Sequence, residues 1–234
     1  MKKKTYILFC FCFAFSNLFA QTQKLRHQPY GDQKLYHFGI SVGVNFQDII
    51  LTNAGLPDEN GETWFATIPD YSPGFSVGLV GDLYLNPYMN LRFTPVLHFG
   101  DKNFEFVEPE IGGSFRTTIR SNYLTLPLSV KLRSMRVNNY RPYLLAGAYT
   151  AFDLGRKTDE AVYLQLMDYG ITIGLGCDFY LPIIKVAPEL RFSFGLRDII
   201  EHERKDLTDN SLRKYSDAIS KGKTRMISLV FNFE

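Results

Sequence analysis

Directly before the last residue, Glu234, the sequence reads ISLVFNF at residues 227–233, with large apolar side chains at every second position. These positions are Ile227, Leu229, Phe231 and Phe233. A side-chain period of two indicates a strand with one apolar face. Such a terminal strand is typical of outer-membrane barrels, where it pairs with the first strand because an open edge is not tolerated in hydrocarbon. The stretch therefore predicts a closed barrel that crosses a membrane.

The N-terminal part of the chain has the pattern of a secretory signal. Lys2, Lys3 and Lys4 precede an uncharged apolar stretch, and Ala20 can end the segment. This pattern predicts a cleaved signal peptide rather than a spanning helix. The predicted domains are a signal peptide, a periplasmic lead-in and an outer-membrane β-barrel, over residues 1–20, 21–34 and 35–234.

The charge balance argues against nucleic acid as a partner. The chain has 26 Lys and Arg against 24 Asp and Glu, and removal of residues 1–20 takes away three lysines and no acids. The mature chain is then close to neutral and offers no basic surface for nucleic acid.

Beyond the signal, Cys177 is the one cysteine, so it forms no internal disulfide and is interpreted as a small apolar side chain. No later apolar run approaches the ~18 residues of a spanning helix.

Eight alternating segments follow the lead-in, and each is near the ~9–11 residues that a tilted strand needs to cross a bilayer. They cover residues 38–46, 75–85, 91–99, 124–132, 142–152, 169–179, 184–194 and 227–233. The fifth segment is apolar on both faces, so the pattern does not assign its faces. The segments predict an all-β fold, a monomeric eight-stranded antiparallel transmembrane β-barrel of the outer-membrane type.

The connections between the segments alternate in length. Long connections follow the odd-numbered segments, at residues 49–73, 100–119, 153–167 and 197–222, and short turns follow the even-numbered ones. Short periplasmic turns and long outer loops are typical of outer-membrane barrels. An even number of strands then puts both termini in the periplasm. The alternative, a soluble lipocalin-like barrel, is disfavoured because it would expose an unusually small, Gly-rich face.

Two of the long connections carry features of their own. The last one is highly charged and can hold a short surface helix after Thr208. The first one contains the single tryptophan, Trp64, together with Ile49, Ile50 and Leu51. We interpret these four side chains as part of a membrane-interface belt, with a contact patch as the alternative.

Charged side chains on the inward faces of the strands predict a paired interior. Asp82 and Arg92 are equidistant from Pro87. Asp178 and Lys185 are equidistant from the short turn at Leu181 and Pro182. In regular hairpins each pair faces across the strands. Glu189 and Arg191 share one face two residues apart. Because an eight-stranded barrel has room only for its own side chains, these six residues predict structural charge pairs rather than a channel, a proton path or a ligand site.

The histidines are the first candidates for catalytic chemistry. The four histidines are His27, His37, His98 and His202. His98 is expected to point into the barrel, with Ser121 and Asp168 at a similar height on other strands. No local hydrolase signature, metal-ligand spacing, phosphate loop or redox cysteine motif accompanies them. We therefore expect no catalytic residues, cofactor or metal, with a His98-based lipid hydrolase as the alternative.

Several strand sequences resemble those of the PorT family. They are LRFTP at 91–95, YLTLPLSVKLR at 123–133, RPYLLAG at 141–147 and PELRFSFG at 188–195. Similar patterns occur in small barrels of the porin family. PorT-like proteins are outer-membrane barrels tied to type IX secretion, which delivers folded cargo, including proteases, to the cell surface.

The resemblance implies a non-catalytic accessory or assembly component of that secretion system. Its expected partners are outer-membrane lipid and other secretion-system proteins. The alternatives are a surface-exposed adhesion or structural barrel and, third, a lipid-modifying outer-membrane enzyme. Glu234, after Phe233, departs from barrels that finish on the aromatic residue itself.

Overall fold

The computed structural model describes residues 27–55, 57, 62–68, 72–109, 112–155, 162–201 and 213–234. The predicted signal peptide at 1–20 lies outside these residues, as does most of the predicted lead-in. The described part consists mainly of strands. They are β1 (Tyr36–Asn53), β2 (Phe65–Thr67), β3 (Pro73–Asn86), β4 (Met89–Phe93), β5 (Val96–Phe99), β6 (Asp101–Glu108), β7 (Gly113–Arg120), β8 (Tyr123–Arg133), β9 (Tyr140–Asp153), β10 (Met167–Tyr180), β11 (Lys185–Gly195) and β12 (Ile219–Phe233).

The long strands close into an antiparallel ring. Neighbours follow the order β1, β12, β11, β10, β9, β8, then β4 and β5, then β3, which pairs with β1 again. β4 and β5 occupy one place in the ring, because they lie end to end between β3 and β8. Pro95 separates them, since it lacks the N–H that a continuous ladder needs. The ring therefore has about eight strands, and the predicted all-β barrel is confirmed.

The two ends of the ring differ, and we name them by their connections. The turn end carries the three short connections and the C-terminal residue, and the loop end carries the long ones. At the turn end a short 3-10 helix, Gly31–Gln33, precedes β1. At the loop end an α-helix, α1 (Arg213–Asp217), precedes β12, in the connection where the sequence predicted a short surface helix.

The outward face of the ring is apolar, with aromatic side chains near both ends. At the turn end the exposed aromatic residues include Tyr36, Phe38, Tyr88, Tyr140, Phe179 and Phe233. Near the loop end they include Phe46, Phe75, Tyr169 and Phe194. Between these girdles lie exposed aliphatic side chains such as Leu144 and Leu175. An apolar band bounded by two aromatic girdles is the surface that a bilayer-spanning barrel presents to lipid.

A charge in the middle of this band should weaken the barrel. Leu175 is 52% exposed on β10 and lies opposite the exposed Leu144. Leu175→Arg should lower the free energy of unfolding of the barrel by about 2–4 kcal/mol, because the guanidinium is forced into hydrocarbon. The measurement is the midpoint of urea unfolding in lipid, followed by the heat-resistant folded band on semi-native gels. Ile183→Arg, at a turn residue that is 90% exposed, is the control and should leave the midpoint unchanged. Equal midpoints for both variants would mean that Leu175 does not face lipid.

The long connections contain more structure than their sequences predicted. Residues 100–119, expected to be a loop, form the hairpin of β6 and β7, and β2 pairs with β6 to give a separate three-stranded sheet. A short bridge joins Leu164 to Ile200. These parts, with α1 and the loop-end tips of β1 and β12, bury a common apolar cluster. Its buried members are Ile49, Trp64, Ala66, Phe104, Phe106, Ile119, Val162, Leu164, Ile199, Ile200, Tyr215, Ala218 and Ile219. We call this cluster and the elements around it the cap.

The cap corrects the predicted position of Trp64. The indole is 8% exposed and packs edge-on against Tyr215, with ring centroids 5.0 Å apart, so it does not belong to a membrane belt. Ile49 is also buried in the cap, and Leu51 packs against it, whereas Ile50 is 49% exposed on the outward face. Among the described residues, no helix has the length and hydropathy needed to cross a membrane.

Candidate functional site

The interior of the barrel holds one connected set of ion pairs, which we call the interior network. Among the described residues it contains four acids and four bases: Asp82, Asp178, Glu189, Glu234, Arg92, Lys131, Lys185 and Arg191. Each of these side chains is at most 7% exposed. Buried charges are costly unless each one is paired. The equal numbers of both signs meet that requirement.

Arg92 lies at the centre of the interior network. The structure places it opposite Asp82 across the β3–β4 hairpin, with Nη2 2.5 Å from the carboxylate, as the spacing about Pro87 predicted. The same guanidinium also lies 2.6 Å from Glu234 and 3.3 Å from Glu189. One cation therefore serves three carboxylates, which come from β3, β11 and the C-terminal end of the chain.

The predicted pair of Asp178 and Lys185 is wrong. Lys185 lies opposite Tyr180, two residues away from the predicted register. The β10–β11 turn extends from Leu181 to Ile184, with Leu181 N donating to Ile184 O, because Pro182 cannot continue the ladder. Asp178 instead binds Lys131 of β8 at 2.8 Å, and Lys185 binds Glu234 at 2.6 Å.

The structure brings the third predicted pair together, and it gives Glu234 a role that was not predicted. Glu189 and Arg191 do contact each other, with Arg191 Nη2 2.6 Å from the carboxylate. Glu234, noted in the sequence only as a departure from an aromatic ending, is buried and binds both Arg92 and Lys185. Its backbone also exchanges hydrogen bonds with Lys185. The terminal residue thus fastens β12 to β11 and to the interior network.

Tyr143 is a member of the interior that sequence reasoning did not find. It lies on β9, the strand whose faces were left unassigned, and its hydroxyl donates to Glu189 at 2.8 Å. The ring lies beneath Lys131, with the ammonium 3.9 Å from its centroid. Gly176 on the neighbouring strand makes room for it, because a Cβ there would lie 2.5 Å from the ring. Small residues on the inward face therefore let large charged and aromatic ones fill the barrel.

His98 is buried in a hydrogen-bonded chain nearer the loop end. Ser76 Oγ and His98 Nδ1 are 2.7 Å apart, and His98 Nε2 is 3.0 Å from Thr125 Oγ1. The expected neighbours are absent: Ser121 donates to Gln47, and Asp168 accepts from Thr224. Ser76 and His98 are 1% and 3% exposed, so this Ser–His contact reaches neither lipid nor solvent. It is suited to satisfying buried polar groups, not to attack on a substrate.

The remaining histidines do not add to that chain. His37 contacts the carbonyl of Gly31 at 2.7 Å, at the turn end, and His27 donates its backbone N–H to Asn139. His202 lies outside the described residues. Within the part of the chain that the structure describes, no group of three or more His, Cys, Asp or Glu side chains is placed to hold a metal ion.

At the turn end, Asp32 fastens the segment before β1 across the mouth of the barrel. Its carboxylate lies 3.1 Å from Arg141, 3.4 Å from Arg136 and 3.9 Å from Arg133, and it accepts a hydrogen bond from Tyr180. Burial opposes ionisation, but the Tyr180 hydroxyl and the three guanidinium groups outweigh it and hold the pKa of Asp32 below its usual value. This contact is therefore fully present above the ordinary pKa of an aspartate and is lost as the pH falls through the lowered one.

At the loop end, a small cavity of about 30 Å³ separates the barrel interior from the cap. Lys102 of β6 reaches into it and donates to the hydroxyl of Tyr123 at 3.1 Å. Burial lowers the pKa of Lys102 to about 8, against the opposing effect of Asp153, Asp168 and Asp48. The space is enough for about one or two waters and is too small for an organic ligand.

Comparison with known proteins agrees with this architecture. A family model described as the outer membrane protein beta-barrel domain matches residues 19–201. No curated protein sequence matches the chain.

Similar solved structures include small barrels from three bacteria. OprG from Pseudomonas aeruginosa has 14% identity and a TM-score of 0.44, covering 84% of this chain and 94% of that one. Neisserial surface protein A has 10% identity and a TM-score of 0.41, covering 85% and 98%. Ail, the attachment invasion locus protein of Yersinia pestis, solved with the heparin analogue sucrose octasulfate, has 12% identity and a TM-score of 0.35, covering 84% and 96%.

Proposed function

This chain belongs to the family of outer membrane protein β-barrel domains, and from that premise we propose that it is a non-catalytic component of type IX protein secretion. Its role is accessory or in assembly, for the delivery of proteases and other cargo to the cell surface. The pathway is supported by the resemblance of four strand sequences to those of PorT-like barrels. The non-catalytic role is supported by the burial of Ser76 and His98 away from any substrate.

The proposed mode of action is supported mainly by the interior of the barrel, which is filled by side chains. Eight paired charges, with Tyr143, occupy the barrel between the Asp32 contact at one end and the cap at the other. An eight-stranded ring is just wide enough for such side chains and has no passage for a folded protein. The chain therefore acts by holding other secretion components, not by conducting cargo.

The surface that supports docking is the cap. Its three-stranded sheet and α1 enclose a common apolar core, so the long connections present a fixed shape rather than separate loops. A preorganised surface loses less conformational entropy when it binds a partner. In the proposed orientation the cap faces outward, and the partners are secretion-system proteins.

Deletion of the protein tests this function. Loss of cargo proteases from the cell surface, with their accumulation in the periplasm, is the expected result. A complementing His98→Ala protein should restore delivery, because His98 has no catalytic role. A His98→Ala protein that inserts normally but fails to restore delivery would overturn the non-catalytic proposal.

A second candidate function, surface adhesion, is favoured by the same rigid cap. It predicts that deletion leaves cargo delivery intact and reduces attachment of cells to surfaces. The deletion strain separates the two candidates, since secretion and attachment are measured independently on the same cells.

The proposed orientation places both termini and the turn end in the periplasm. An epitope tag after Gly112, in the turn between β6 and β7, should bind antibody on intact cells. A tag after Asn138, in the short turn between β8 and β9, should bind antibody only after the outer membrane is permeabilised. Labelling of the Asn138 tag on intact cells would reverse the orientation.

A further inference from the structure

A row of basic side chains continues the lipid-facing column of β12 beyond its apolar part. The apolar members are Phe233, Phe231, Leu229 and Ile227, each 37–42% exposed. The same face continues through Arg225, Lys223 and Lys221. Arg225 lies opposite Asp48 and forms a salt bridge with it. Lys221 and Lys223 are exposed and form no ion pair within the described part of the chain.

Exposed aliphatic side chains flank Lys223 on both neighbouring strands. Across β1 it lies opposite Ile50, which is 49% exposed. On the other side, Leu196 is 53% exposed and follows the Phe194–Arg225 pair by two residues. A lysine between two exposed aliphatic side chains is placed for an interface, where the stem lies along apolar groups and the ammonium reaches polar ones.

The position of Lys221 and Lys223 along the barrel axis agrees with the edge of a membrane, where hydrocarbon meets the polar headgroups. From Phe233 to Lys223 the strand rises about 34 Å at about 3.4 Å per residue. With a strand tilt of about 35–45°, this corresponds to roughly 26 Å along the barrel axis, against an apolar band of about 25 Å. Phe46 and Phe194, of the loop-end girdle, pair with Ile227 and Arg225 just below. Lys223 therefore stands at the upper edge of the lipid-facing band, and Lys221 stands above it.

We propose that Lys221 and Lys223 form a binding site for the phosphate groups of a glycolipid in the leaflet at the loop end. In the proposed orientation, on which this inference rests, that leaflet is the outer one. The charge of the site is complementary to phosphate, and Asp48 neutralises Arg225 but neither lysine. The acyl chains of the same lipid lie against Ile50, Leu196 and the apolar column below. The site thus fixes one lipid beside the seam between β1 and β12, where the chain closes the ring.

Lipid retention by the purified full chain tests the site. The protein is placed in nanodiscs that contain lipid A with its phosphates, lipid A without them, or phosphatidylglycerol, and bound lipid is counted by native mass spectrometry. Lys221→Gln combined with Lys223→Gln should lower retention of phosphorylated lipid A by about tenfold or more. Each lysine near an anionic lipid surface adds an electrostatic part to the binding free energy, and the double variant loses both. Lys34→Gln, an exposed lysine at the turn end, is the control and should retain the lipid.

Folding is checked in each sample by the heat-resistant band, and Lys221→Arg with Lys223→Arg serves as the conservative variant, which should retain phosphorylated lipid A. Equal retention by the glutamine variant and the wild-type protein would overturn the proposal. So would equal retention of dephosphorylated lipid A or of phosphatidylglycerol by the wild-type protein. Because the assay uses purified protein, its result is independent of cargo delivery, and the epitope tags test the orientation separately.

Discussion

Replacement of Arg92 by leucine should destabilise the barrel by about 3–5 kcal/mol, the range for removing one partner from a buried ion pair. The guanidinium lies 2.5 Å from Asp82, 2.6 Å from Glu234 and 3.3 Å from Glu189. Without it, four buried carboxylates share the three remaining cations of the interior network. Glu189 keeps Arg191 and Glu234 keeps Lys185, each at 2.6 Å, but Asp82 keeps only Lys131 at 3.8 Å. The cost therefore falls on the folded state, mainly at Asp82.

Removal of Asp82 together with Arg92 should be less harmful than removal of Arg92 alone. The double leucine variant again has equal numbers of acids and bases in the interior network. Glu234 keeps Lys185 at 2.6 Å, and Glu189 keeps Arg191 at 2.6 Å. The coupling energy between the two positions should fall in the range of about 0.5–3 kcal/mol that is found for groups in contact.

Urea unfolding of the refolded barrel in lipid measures these free energies. Arg116→Leu is the matched control, because Arg116 also pairs with a glutamate, Glu105, but its side chain is 71% exposed. An exposed pair contributes about 0–1 kcal/mol, so this variant should unfold almost like the wild-type protein. Similar costs for Arg92→Leu and Arg116→Leu, or strictly additive effects at 82 and 92, would contradict the role given to Arg92.

The barrel could be predicted from the sequence because its pattern is local. A period of two marks the spanning strands other than β9, which is apolar on both faces, and the long and short connections mark the two ends. The Asp82–Arg92 contact could also be predicted, since the β3–β4 turn is short and the hairpin is regular on both sides of Pro87. In these places the neighbouring sequence alone sets the register.

Contacts that depend on turn length or on distant strands could not be predicted in the same way. Pro182 lengthens the turn to Ile184, and this shifts Lys185 from Asp178 to Glu234. The partners of Asp178 and Glu234 come from strands that are far apart in the chain, and no spacing rule connects them. β9 is apolar on both sides because Tyr143 and Leu145 face inward while Leu144 faces lipid.

The cap was missed for a related reason. Its residues come from all the long connections, and each connection contributes only a few apolar side chains without a period. Trp64, read alone, fits a membrane belt as well as a core. Only the packing of Tyr215, Phe106 and Phe115 around one another shows that these segments share an interior.

That shared interior should depend strongly on Phe106. Its side chain is fully buried, with ring centroids 5.0 Å from Tyr215 and 6.3 Å from Phe115. Phe106→Ala should lower the free energy of unfolding of the cap by about 3–5 kcal/mol, because apolar burial is lost and a cavity remains. The barrel should persist, because the interior network and the ring of strands lie below the cap. Limited proteolysis of outer membranes should therefore cleave the β6–β7 hairpin, while the heat-resistant barrel band remains.

Ser114→Ala, at an exposed position of β7, is the control and should resist protease like the wild-type protein. The pair of variants also tests the proposed function, since the proposed docking through the cap requires its fixed shape. Cells that carry Phe106→Ala should insert the barrel normally and yet lose surface delivery of cargo proteases. An intact hairpin in the Phe106→Ala protein would mean that the cap is not held by this core. A cleaved hairpin with full delivery would mean that secretion partners bind elsewhere, which leaves the turn end, with its Asp32 contact, as the surface to test next.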